Sequence, residues 1–201
     1  MTIHDFTHPV DTTPPKVCVI VVYHREQNHP WLLELLNSLQ TQSYANLECI
    51  TYDNSQTGHT IGKARNLAVE HTDAELCMFI AEEDMLVLDT IQSMVSMYQF
   101  SKSQMKGLVH VSTRCMALFE NKKTVLVPDA IAPGMYERAY LLTNPFDEDL
   151  NTRVDAMQTA RMENLAKLQQ CPVTFATTHH FGYMLRVHPF RRDGITITPP
   201  R

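Results

Sequence analysis

Glycine is scarce, with six in 201 residues. None lies in the first apolar segment, which argues against a glycine-rich phosphate loop. Cationic excess is lacking too: seventeen Lys+Arg against twenty-two Asp+Glu leave a formal charge of -5. That excludes a basic coat for nucleic acid, though not a local basic groove. No apolar run approaches the roughly 20 residues of a membrane span. Residues 1–16 are polar and Pro-bearing, without the apolar core of a signal peptide. Cys18, Cys49, Cys77, Cys115 and Cys171 are scattered singly, with no CxxC or Cys/His ligand spacing. The pattern predicts buried thiols in a reducing compartment, and hence a cytoplasmic protein. What is present is an ordinary globular composition, 44% hydrophobic and 19% charged, in a length that suits one domain.

Residues 1–15 read as a flexible arm ending in Pro14-Pro15. Residues 17–23 are continuously apolar and β-branched, which suits a strand buried on both faces. Pro30 opens a helical pattern in which Trp31, Leu32, Leu35, Leu36 and Leu39 recur at helical spacing. A second strand is predicted over 47–52, a helix over 60–71, a third strand over 76–81 and a helix over 89–99. This β-α-β-α-β-α alternation predicts an α/β fold with a parallel sheet and right-handed crossovers. The second half is mixed. Residues 108–118 and 124–127 read as strands, 153–168 as a helix, and 173–187 as strand-like. A strand through His179-His180 would point the two rings to opposite faces. The end, 191–201, is a polar tail.

Polar groups follow each of the first three strands: His24-Arg25, Asp53-Asn54 and Glu82-Glu83-Asp84. In a parallel sheet they fall on one rim, the carboxyl edge where such sheets bind ligands. Each cluster also has a plain structural account. Acids suit a helix start, Asp-Asn-Ser suits a turn, and Lys63 and Arg65 suit an exposed helix surface.

Several of these segments together resemble a family 2 glycosyltransferase of GT-A fold. The stretch Ser38-Leu39-Gln40-Thr41-Gln42-Ser43-Tyr44-Ala45-Asn46-Leu47-Glu48 matches its helix-and-turn segment, and Ala64-Arg65-Asn66 matches the Ala-Arg-Asn opening the next helix. Phe79-Ile80-Ala81-Glu82-Glu83-Asp84 stands where the family carries Asp-x-Asp. Asn144-Pro145-Phe146-Asp147-Glu148 is similar to its Gly-Phe-Asp-Glu segment, and Asp155, six residues before Arg161, to the Asp of its Glu-Asp pair. Two departures stand out. Ala81 replaces the first Asp of Asp-x-Asp and Glu83 its metal-binding Asp, while Val154 replaces the Glu of Glu-Asp.

The resemblance implies a Rossmann-like single domain, 16–190, with a mixed, mostly parallel central sheet flanked by helices. A nucleotide-binding half (16–100) would join an acceptor half (101–190). It implies inverting transfer of a sugar from a nucleotide-diphosphate sugar, a UDP-sugar by preference, to an acceptor hydroxyl. Tyr23, Arg25, Asp53, Lys63, Arg65 and Glu82 would bind the donor, with the cations of Lys63 and Arg65 joining a positive helix start in facing phosphate. Glu83, Asp84 and His188 would hold Mn²⁺ or Mg²⁺, since hard cations take oxygen ligands. Asp155 would be the general base, with Glu148 and Asp149 as alternatives. The acceptor stays open among a glycan, a protein and a hydroxylated base in DNA, although an acidic chain predicts no general affinity for DNA. Ala81 and Val154 leave a second reading, a catalytically silent module that binds a nucleotide or a partner.

Overall fold

The computed structural model describes residues 14–24, 29–55, 57–119, 123–131, 134–152, 154–168 and 170–187. Arg25 and His188 lie outside them, as do most of the arm and all of the tail. The elements run β1 (Val17–Tyr23), α1 (Pro30–Gln40), β2 (Leu47–Asp53), α2 (Ile61–His71), β3 (Leu76–Ala81), β4 (Met85–Leu86), α3 (Thr90–Gln104), β5 (Leu108–Ser112) and β6 (Arg114–Leu118). They continue with β7 (Thr124–Ile131), β8 (Met135–Glu137), α4 (Arg138–Thr143), α5 (Val154–Lys167), β9 (Val173–Thr177) and β10 (Tyr183–Arg186). The fold is mixed α/β, with a central sheet ordered β2-β1-β3-β8-β5-β9.

β1 pairs in parallel with β2 and with β3, bringing Tyr23 level with Asp53 and Val22 level with Ala81. Its side chains alternate between two cores, which is why the run is apolar throughout. Val17, Val19, Val21 and Tyr23 join Leu32, Leu35 and Leu39 of α1 and Ile91 and Met94 of α3 on one face. Cys18, Ile20 and Val22 join Ala64 and Ala68 of α2, Tyr140 of α4 and Val154 and Met162 of α5 on the other.

The structure departs from the sequence reading in the second half. A separate sheet, ordered β4-β10-β6-β7, stands beside the central one. The run 108–118 is broken at Thr113 into β5 and β6, and 173–187 is broken at 178–182 into β9 and β10. The two breaks are one corner. β5 pairs in parallel with β9 in the central sheet, and β6 pairs in parallel with β10 in the second. Thr113 Oγ1 donates to the His180 carbonyl (2.7 Å) and accepts from the Gly182 N–H (3.2 Å) and the Thr178 hydroxyl (3.0 Å). His179 and His180 therefore lie in this bend and not on a strand. β4, β8 and α4 are too short to leave a periodic signal. Three cysteines, Cys18, Cys77 and Cys115, are buried, but Cys49 is exposed on the edge strand β2. No described helix is long and apolar enough to cross a membrane.

Candidate functional site at the carboxyl rim

Tyr23, Asp53 and Glu82 come together at the ends of β1, β2 and β3. Asp53 is exposed, and its Oδ1 accepts from the Ser55 N–H (2.9 Å) and the Ser55 hydroxyl (2.6 Å). The Ser55 hydroxyl first, then its N–H, hold the Asp53 carboxyl below its usual range. The expected turn and an ionised acceptor at the rim are thus the same residue. Tyr23 is 5% exposed. Burial pushes its phenol up, and the Asp53 charge beside it adds to this. Glu82 is 8% exposed and accepts from the His24 N–H (2.9 Å), fastening the end of β3 to the end of β1. Asn54 N–H donates to the Tyr23 carbonyl (2.9 Å), fastening β2 likewise.

Asp84 has a different setting. It is 0% exposed. Oδ2 accepts from the Tyr183 hydroxyl (2.7 Å) and Oδ1 from the Arg186 N–H (2.8 Å). An ion reaching it would have to open the junction between β3 and β10. Glu83 is half-buried, and its carbonyl accepts from Arg186 Nε (2.8 Å). Among the described residues no three His, Cys, Asp or Glu side chains converge on a point where an ion would fit. The described side chains of the rim do not by themselves make a complete metal site.

The resemblance implies that Lys63 and Arg65 face phosphate together with the start of α2. That start is closed by the protein itself. The Ile61 N–H donates to Asn151 Oδ1 (3.2 Å), the Gly62 N–H to the Leu150 carbonyl (3.1 Å) and the Lys63 N–H to the Thr60 hydroxyl (3.2 Å). No N–H of the first turn is left for an anion. Gly62 is needed here, because a Cβ would lie 1.9 Å from the Asp147 carbonyl. Lys63 is half-buried. Arg65 lies over the Phe79 ring (4.8 Å) and the Phe146 ring (5.4 Å) and pairs with Asp155 Oδ1 at 2.8 Å. Asn66 completes the joint: its amide donates to the Phe146 carbonyl (3.0 Å) and accepts from the Phe146 N–H (2.9 Å). The Ala-Arg-Asn and Pro-Phe-Asp-Glu segments, matched separately in the sequence, are therefore the two sides of one contact.

Asp155 and the Glu83–Arg186 group flank opposite faces of the sheet. Val154, Phe79 and Phe146 pack in one core, Tyr183 and Leu185 in the other. The sequence reading missed Arg186 as a hub. It is 8% exposed, pairs with Glu34, and stacks 5.3 Å from the centre of the Trp31 ring. A cleft of about 530 Å³ opens beside it, lined by Trp31, Glu34, Met85, Leu118, Met184 and Arg186. A signal in the sequence is an arginine set directly after the apolar pair Met184-Leu185.

No family model and no curated protein sequence matches the chain. Solved structures do. A crystal structure of S. aureus TarS superposes with a TM-score of 0.61 at 16% identity, over 87% of this chain and 37% of that one. TarS 1-349 in complex with UDP gives 0.60 at 17% identity, over 87% of this chain and 61% of that one. TarS 1-349 in complex with UDP-GlcNAc gives 0.60 at 16% identity, over 88% of this chain and 60% of that one. The chain thus spans less than two thirds of the length of these structures, and what it shares with them is the Rossmann-like fold.

Proposed function

We propose that the chain is a glycosyltransferase that binds a nucleotide-diphosphate sugar, a UDP-sugar by preference, at the carboxyl rim. The observation that carries the reading is the meeting of Tyr23, Asp53 and Glu82 at the ends of three adjoining parallel strands. Its support is a fold similar to structures holding UDP and UDP-GlcNAc. An ionised Asp53 can accept the ring N–H of uracil, a strong hydrogen bond because the acceptor is charged. Lys63 and Arg65 are assigned to the donor on the resemblance alone. Transfer would be inverting. The acceptor O–H gives its proton to a carboxylate, its oxygen bonds to the sugar's anomeric carbon, and the carbon–oxygen bond to the diphosphate breaks with the electron pair leaving on UDP. Asp155 is the proposed base. Oδ1 is held by Arg65, but a carboxylate has further lone pairs to take a proton. Glu83 would hold Mn²⁺ or Mg²⁺ together with the diphosphate, where the ion would neutralise charge on the leaving group.

Thermal shift with UDP and UDP-GlcNAc, with and without Mn²⁺, tests this. UDP at a hundredfold excess over its dissociation constant should stabilise the protein by about 2.7 kcal/mol. Asp53→Asn should lose most of that shift. Absence of a shift with any UDP, dTDP or GDP sugar would overturn the donor reading. A second reading rests on the Arg65–Asp155 pair and on the burial of Asp84: a module that binds a nucleotide without transferring sugar. UDP stabilisation without turnover toward any acceptor would favour it. Glycosylation of a hydroxylated DNA base stands below both, given the charge of -5.

A further inference from the structure

We propose that Arg65 is the positioning residue of the base: it holds Asp155 by one oxygen and leaves the other to take the acceptor's proton. This role rests on the reading of Asp155 as the base given above. Arg65 Nη1 donates to Asp155 Oδ1 at 2.8 Å. Among the described residues no other side chain or N–H binds the carboxylate, and no other acid pairs with Arg65. The Asp155 side chain is 31% exposed and that of Arg65 11%. Solvent thus reaches the acid, while the cation behind it is enclosed.

The cation is fixed by its surroundings. The guanidinium lies 4.8 Å from the centre of the Phe79 ring and 5.4 Å from that of Phe146, and the two rings meet edge to face, 4.8 Å apart. Such a corner attracts a guanidinium through the ring electrons and orients its plane. The rings themselves are buried, and Phe146 is tied through its N–H and carbonyl to Asn66, the neighbour of Arg65. The acid is placed from the other half of the chain. It stands in the first turn of α5, where the helix dipole favours negative charge, next to the buried Val154. Phe79 lies two residues before Ala81, on the same face of β3, so the pair sits just below the carboxyl rim. Ala81 supplies no carboxylate there to compete for Arg65. With its guanidinium committed in this way, Arg65 has little surface left to meet a diphosphate, and the donor contact that the resemblance implies for it gives way to this one.

The full chain is assayed with UDP-GlcNAc and with water as the acceptor. The water oxygen bonds to the anomeric carbon, its proton passes to Asp155, and UDP leaves with the electron pair. Released UDP is measured for Arg65→Met, Asp155→Asn and the double variant. Arg65→Met keeps length and apolar contact with the rings and removes the charge. It should lower kcat at least about tenfold and leave both the KM for UDP-GlcNAc and the UDP thermal shift unchanged. In the Asp155→Asn background the same substitution should cost nothing further, because a residue that acts through another has no effect once the other is gone. Arg65→Lys keeps the charge without the planar fork and should recover part of kcat. If the Met variant fails to fold, the Lys variant carries the same cycle, lowering kcat beside Asp155 and not beside Asn. Full kcat in the Arg65 variants with Asp155→Asn impaired, a raised KM or a lost UDP shift, or losses that multiply in the double variant would each overturn the proposal and leave the base reading standing. Wild-type protein that releases no UDP, or Asp155→Asn with full turnover, would sink the base reading itself and this role with it.

Discussion

His110, on β5, is 5% exposed, with its ring edge against Tyr136 (centroids 4.7 Å apart) and tilted toward Phe175 (5.6 Å). Gly134 makes room for it, since a Cβ there would lie 1.8 Å from Nε2. Nε2 has no hydrogen-bond partner among the described residues. Burial lowers the pKa from 6.5 to about 4, against a smaller opposing effect of the Asp155 charge. The folded protein thus keeps His110 neutral where the unfolded chain would protonate it. The stability this contributes is complete above the unfolded value of 6.5 and is lost as pH falls toward 4, a loss of about 3 kcal/mol. Asp53, Glu48 and Asp73, all with lowered values, act in the same direction in a more acidic range. Urea midpoints should therefore fall between neutral pH and pH 4, and His110→Leu should flatten that decline. An unchanged decline in the variant would rule His110 out as its source. At this scale the sequence is uneven. Asp53 reads correctly as a turn residue because its partner Ser55 is two positions away. Asp84 could not be read, because its partners Tyr183 and Arg186 lie 99 and 102 positions along the chain.

Among the elements, the corner at Thr113 separates the two sheets. Two neighbouring parallel strands bend there together, held by one buried threonine hydroxyl. Thr113→Val keeps the shape and removes the hydroxyl. The Gly182 N–H then loses its partner, and the His180 carbonyl loses one of its donors. The variant should be destabilised by about 2 kcal/mol, measured by chemical denaturation. Full stability would show that strand pairing alone sets the bend. The polar break at each bend, Ser112-Thr113-Arg114 and Thr177-Thr178-His179-His180, is short and carries β-branched threonine, so 108–118 and 173–187 read as single strands. The helices are more legible. Pro30 starts α1, the Thr60 hydroxyl caps α2, and the apolar periodicity of α1 is a local signal that needs no distant partner.

Across the molecule, α2 joins the two halves. Gly62, Arg65 and Asn66 belong to the first half of the sequence and contact Asp147, Asp155 and Phe146 of the second. The Arg65–Asp155 pair therefore bears on both the chemistry and the docking of the halves. Asp155→Asn keeps the size and a hydrogen-bond acceptor for Arg65. If Asp155 is the base, turnover should fall at least about 100-fold with the UDP thermal shift unchanged. Full turnover would move the base elsewhere, Glu148 and Asp149 being the nearest alternatives in sequence. The sequence by itself determined the β-α-β-α-β-α half and its polar rim. The doubly buried strands must be apolar along their length, and each polar cluster marks where a strand ends. Only the tertiary structure decided that the start of α2 is filled by the 147–151 segment, that Asp84 is a buried anchor, and that Trp31, Glu34 and Arg186 frame a cleft. Each of these depends on groups tens of residues apart meeting in space, and local periodicity carries no record of such meetings.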